Sequence, residues 1–150
     1  MTPEIELVDV EERTMAAVKA RIAIPDIPGK IMPLMDRVWA FIRSNGIEGF
    51  GHNVWSYGSL SDGEVDVEIG VQVPEPFDAT DDIVSSRTPA GKAAHAVHVG
   101  DYAELPRVHM AVVAWCRDHG HELSGRSWEV YGDWDEDPAK RRTDVYHLVA

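Results

Sequence analysis

Apolar side chains recur at Ile31, Leu34, Val38, Phe41 and Ile42, with Lys30, Asp36, Arg37 and Arg43 on the other side. That spacing predicts a helix with one buried face, with Pro33 in its first turn and Gly46 at its end. The pattern returns at Leu105, Val108, Val112, Trp115 and Cys116, with Pro106 in the first turn and Gly120 after the last. Each position lies 74 residues after its counterpart, from Ile31 to Leu105, Ile42 to Cys116 and Gly46 to Gly120. Tyr57-Gly58 maps onto Tyr131-Gly132 at the same offset. Amphipathic helices share a period and align by chance, but a helix-ending glycine and a Tyr-Gly pair do so less readily. The chain therefore reads as an internal duplication, covering approximately residues 14–73 and 92–149.

The rest of each half reads as strand. Residues 5–10 and 14–24 precede the first helix, and the period-two segment 66–73 follows it, after the shorter run 53–57. Residues 92–99 precede the second helix, and 128–134 and 143–149 follow it, separated by the acidic turn at 135–138. A polar, proline-bearing connector, 74–82, joins the halves. Neither half is large enough to cover its own sheet, so the expectation is one domain over 1–150. It would be an α+β fold made of a tandem, pseudo-two-fold pair of strand-helix-strand-strand modules. Its antiparallel sheet would carry two helices on one side, with a ligand cleft where the modules meet.

Composition narrows the function without naming it. The 150 residues are 44% hydrophobic and 27% charged, ordinary globular usage. Fourteen basic against 26 acidic residues leave a formal charge of −12, which repels a phosphate backbone and argues against nucleic acid as a direct partner. Such a field draws cations, although an acidic surface that merely keeps a chain soluble is the simpler explanation of it. Cys116 has no second cysteine to pair with and falls on an apolar helix face, as a small core residue in a reducing compartment does. The first twelve residues do not resemble a signal peptide, and no apolar run reaches membrane-spanning length. A cytoplasmic protein with no membrane partner is expected.

Three segments carry a family resemblance: His98-Val99-Gly100-Asp101-Tyr102 leading into a helix, then Trp128-Glu129-Val130-Tyr131, then Arg142-Thr143-Asp144-Val145-Tyr146. In order and spacing the chain resembles the GyrI-like small-molecule-binding domain, also the effector module of AraC-type and MerR-type multidrug regulators and present in gyrase-inhibitory proteins. The resemblance implies a groove for hydrophobic, often cationic compounds, faced by a glutamate on the strand after the second helix, which Glu129 matches. Tyr102 matches the tyrosine after the His-x-Gly element. The ligand module uses the whole chain, which leaves no helix-turn-helix segment and makes a fused DNA-binding regulator unexpected.

Strand alternation puts Glu129 and Tyr131 on one face, and duplication makes Trp55 and Tyr57 their counterparts. These four, with Tyr102 and Tyr146, are the candidate ligand-binding residues for an aromatic or cationic small molecule. A carboxylate among aromatic rings is costly to desolvate unless a cation or a hydrogen-bond donor offsets the burial, and ring faces add attraction for a cation. Trp128 and Val130 take the opposite face, where packing beneath a helix is expected. Trp39 and Trp115 read as packing residues, while Trp134 at a strand end is open to either role.

Seven histidines raise the question of metal, but His95 and His98 point to opposite faces of one strand and no metalloprotease-type pair is present, so no metal is expected. The run from Asp133 to Asp137 imitates the opening of a calcium loop. It has Pro138 where the glycine belongs and Asp144 where the bidentate glutamate belongs. No nucleophile motif or phosphate-cradling loop is present, and no cofactor is expected. Two alternatives to a plain binder remain. One is a hydrolase of strained, cyclopropane-bearing genotoxins, an activity of some GyrI-like proteins, with Glu129 positioning or deprotonating water and a tyrosine such as Tyr102 assisting. The other is a gyrase-inhibitor-like protein-interaction module.

Overall fold

The computed structural model describes residues 4–80 and 82–150. Their chain order is β1 (Ile5–Val10), β2 (Arg13–Ala23), α1 (Ile27–Ser44), β3 (Asn53–Ser61), β4 (Glu64–Gln72), β5 (Ile83–Thr88), β6 (Gly91–Val99), α2 (Leu105–Asp118), β7 (Leu123–Tyr131) and β8 (Arg142–Val149). The fold is α+β, with antiparallel strands and two copies of a strand-helix-strand-strand module, β2-α1-β3-β4 and β6-α2-β7-β8.

Contacts divide the chain into two compact units, Glu12–Thr88 on one hand and Pro89–Ala150 with the N-terminal strand on the other. In the Glu12–Thr88 unit the strands lie in the order β3-β4-β2-β5, and α1 packs on β2 and β4. Its core gathers Ile31, Met35, Val38 and Ile42 of the helix with Val18, Ile22, Val67, Ile69 and Val71 of the sheet. Burying each such side chain contributes roughly 1.5–3 kcal/mol. In the Pro89–Ala150 unit the order is β1-β6-β8-β7, and α2 packs on β6 and β8 through Leu105, Val108, Val112 and Cys116. Each unit's edge strand lies outside the repeated strand-helix-strand-strand module. β1 pairs with β6, from Ile5 opposite Ala96 to Val10 opposite Gly91, while β5 pairs with β2, from Arg13 opposite Thr88 to Val18 opposite Ile83.

Two expectations need correction, and one strand was not expected. Helix α1 begins at Ile27, with a proline in its first turn at Pro28, so Pro33 lies inside the helix, where it has no N–H to give the Gly29 carbonyl. Strand β7 begins at Leu123 and ends at Tyr131, leaving Trp134 in the following loop. Strand β5 had no clear sequence signal, since Ile83 and Val84 are followed only by polar residues. Among the described residues no helix is long and apolar enough to cross a membrane.

Candidate functional site

The face of β7 and β8 that meets α2 carries the chemistry. Cross-strand partners share a face, so the rows Glu129 with Val145, Tyr131 with Thr143 and Ser127 with His147 all lie on one side. His109 fixes which side that is, because it projects from α2 and its Nε2 lies 2.8 Å from Glu129 Oε2. The Tyr131 hydroxyl donates to Glu129 Oε1 at 2.8 Å. Glu129 is only 4% exposed, and these two donors offset its desolvation, each hydrogen bond to a charged group contributing about 1.5–3 kcal/mol.

Behind His109 stands His147, its Nε2 2.8 Å from His109 Nδ1. Burial first, and the adjacent His109 second, push His147 down to about 4, so it is neutral at physiological pH. When a neutral His109 donates a hydrogen bond from Nε2–H to Glu129, its Nδ1 accepts from His147 Nε2–H. Protonating His109 reverses that hydrogen bond. The row also holds the Thr143 hydroxyl, fully buried and, among the described residues, without a hydrogen-bond partner.

The turn before α2 delivers Tyr102 to this row. His98 donates from Nε2 to the Asp101 carbonyl at 2.9 Å, and Asp101 Oδ1 accepts from Ala103 N–H at 2.9 Å. Gly100 adopts φ +151°, and a Cβ there would lie 3.2 Å from the His98 ring, so a side chain at this position would strain the turn. Tyr102 then meets Tyr131 edge to face, centroids 5.3 Å apart. Trp134, in the loop after β7, and Arg141, just before β8, complete the outer end: the guanidinium carbon stands 3.7 Å from the Trp134 ring centre and 5.3 Å from that of Tyr102.

Of the sequence candidates, then, Glu129, Tyr131 and Tyr102 come together. Tyr146 lies on the other face, where it stacks on Trp128 at 5.1 Å and on His95 at 4.6 Å. Trp128 is therefore buried on the face away from α2, not beneath a helix: alternation says which residues share a face, but not which face the helix covers. Trp55 and Tyr57 belong to the other unit, half-buried at the margin of its own core. On the face of Tyr146, Asp144 binds His95 at 3.0 Å and Arg142 at 2.8 Å. Burial alone would raise the Asp144 carboxyl, but those two partners outweigh it and hold Asp144 at about 2.

His109 and His147 were the residues that reading the sequence missed, and a signal for His109 was present. It stands 74 residues after Met35, a buried member of the α1 stripe. By the same offset Glu129 answers Trp55, and the strand registers match His147 to Val71, since Trp55 pairs with Ile69 where Glu129 pairs with Val145. One copy of the module thus carries Met, Trp and Val where the other carries His, Glu and His.

A family model described as the GyrI-like small molecule binding domain matches residues 3–149. The chain belongs to the GyrI-like family. It is a small-molecule-binding domain, and the polar set on β7, β8 and α2 is the part of this GyrI-like fold that packing alone does not require. Among solved structures, the EcmrR C-terminal domain is similar at 18% identity with a TM-score of 0.78, the match covering all of this chain and 99% of that one. SAV2435 bound to tetraphenylphosphonium is 14% identical with a TM-score of 0.65, covering 98% and 94%. A hydrolase from Listeria innocua is 15% identical with a TM-score of 0.62, covering 99% and 93%. At these identities the likeness is one of fold. No curated protein sequence matches the chain.

Proposed function

We propose that this GyrI-like domain reversibly binds lipophilic aromatic cations, with Glu129 as the counter-charge and Tyr131 and Tyr102 as ring contacts. The observation that carries the reading is the buried Glu129 carboxylate, held by His109 and Tyr131, with Glu129 and His109 at positions where the duplicate module has Trp55 and Met35. Burying a carboxylate costs several kcal/mol, and the Met35, Trp55 and Val71 set folds the same module without that cost. A delocalised cation with no N–H groups asks nothing of the two hydrogen bonds on Glu129, because its attraction to the carboxylate is Coulombic. Tetraphenylphosphonium, the ligand of a protein of similar fold, is such a cation.

The test is titration with tetraphenylphosphonium and with neutral triphenylphosphine oxide. Glu129→Gln is expected to weaken the cation by roughly 1–3 kcal/mol and the neutral compound much less, with thermal stability followed alongside. Equal weakening of both, in a folded variant, overturns the reading. The alternative reading, hydrolysis of a strained cyclopropane-bearing compound, draws on the Glu129–His109 hydrogen bond, which gives a general base a neighbour able to shuttle the proton. Mass detection of the incubated compounds separates the two. A hydrolase forms a water adduct at a rate that falls on the order of 10²-fold in Glu129→Gln, whereas a binder returns every compound unchanged.

A further inference from the structure

We propose that Tyr102 and Trp134 form a rim subsite for a planar, delocalised cation of the amidinium or guanidinium class, and that Arg141 is the chain's own occupant of it. Arg141 thereby competes with cationic ligands and sets the specificity of the entrance. The inference rests on reading Glu129 as the counter-charge of a cation deeper in the same row.

What sets Arg141 apart is its contact with ring faces. With 26 acidic residues against 14 basic ones, carboxylates are abundant, and the adjacent Arg142 takes Asp144 through two N–H groups at 2.8 and 3.2 Å. The Arg141 guanidinium lies over the Trp134 ring at 3.7 Å, beside Tyr102 at 5.3 Å, with Nε donating to the Asp135 carbonyl at 2.8 Å. Ring faces and one backbone carbonyl hold this cation, and planar cations stack on such faces best.

The place of the pair in the row gives the contact a direction. Trp134 is 68% exposed, Tyr102 is half-buried, Tyr131 is 7% exposed and Glu129 is 4% exposed. The tilted Trp134 and Tyr102 rings stand 6.5 Å apart, Tyr102 meets Tyr131, and the Tyr131 hydroxyl binds Glu129. A cation arriving from solvent meets the rim rings first. Arg141 yields them at small cost, because its Nε–H exchanges a backbone carbonyl for water and no buried partner is left behind.

Benzamidinium and its neutral isostere benzamide, titrated against the full chain, read the subsite directly. Addition of benzamidinium is expected to shift the Trp134 indole and Arg141 Nε–H NMR signals. Arg141→Gln is expected to tighten benzamidinium about 2- to 5-fold and leave benzamide unchanged, with Arg141→Lys in between. Trp134→Ala is expected to abolish the Arg141 response. If Arg141→Gln tightens both compounds equally or neither, or if the Trp134 and Arg141 signals stay still at saturating benzamidinium, the proposal is wrong. Failure of Glu129→Gln to discriminate between tetraphenylphosphonium and triphenylphosphine oxide sinks the interior reading instead, whatever the Arg141 result.

Discussion

His147 is kept uncharged by its surroundings, and that choice has a thermodynamic consequence. In the unfolded chain it titrates near 6.5, and in the fold at about 4. Between those values the unfolded state binds the extra proton, so this contribution to stability is complete above about pH 6.5 and is lost as pH falls toward 4. It amounts to at most about 3 kcal/mol. His147→Val, which installs the residue found at the matching Val71, is expected to flatten the fall in urea-derived stability over that pH range relative to the parent. An unchanged slope would mean that His147 is not held neutral. Alternation along β7 was enough to put Glu129 and Tyr131 on one face, and the His-x-Gly-x-Tyr segment drew attention to Tyr102. His109 and His147 escaped because a histidine within an apolar stripe reads as one more core position until the residue opposite it is known. Here that residue is a carboxylate.

The two helices end in the same way, and the repeat made this visible early. The Ile47 amide donates to the Ile42 carbonyl and Gly46 to Arg43; His121 and Gly120 do the same to Cys116 and Arg117. Both are Schellman caps with glycine in the left-handed region, at φ +60° for Gly46 and +74° for Gly120. Nothing lies within 4 Å of an added Cβ at either glycine, so the cost of a side chain is purely conformational. Gly46→Ala and Gly120→Ala are each expected to destabilise by about 1–2 kcal/mol. Gly29→Ala, also in open space but inside α1, is expected to stabilise by up to about 1 kcal/mol. Chemical denaturation of the three variants checks the set, and equal destabilisation by all three would contradict it. The start of α1 was less legible than its end. The apolar stripe begins at Ile31, and only packing of the preceding turn extends the helix back to Ile27.

Across the whole chain, sequence neighbours are not always structural neighbours. β1 and β2 are separated by two residues, yet β1 lies on β6, far along the chain, and β5 lies on β2 rather than on the strand that follows it. Removing residues 1–11 is therefore expected to strip hydrogen-exchange protection from the β6 amides that face β1, while protection in Glu12–Thr88 stays close to that of the parent. Protection lost first in β2 would contradict this assignment. The sequence alone determined the duplication, both helix stripes and their glycine ends, and the strands with clean alternation, because those features are written in local period and in a repeated offset. The family resemblance, not local period, drew attention to Glu129. Only the tertiary structure decided which face of β7 the helix covers, which edge strand belongs to which unit, that Tyr146 lies away from Glu129, and that two histidines stand behind the carboxylate. Those are pairings between distant segments, and a period of two or of 3.6 carries no record of what lies across the gap.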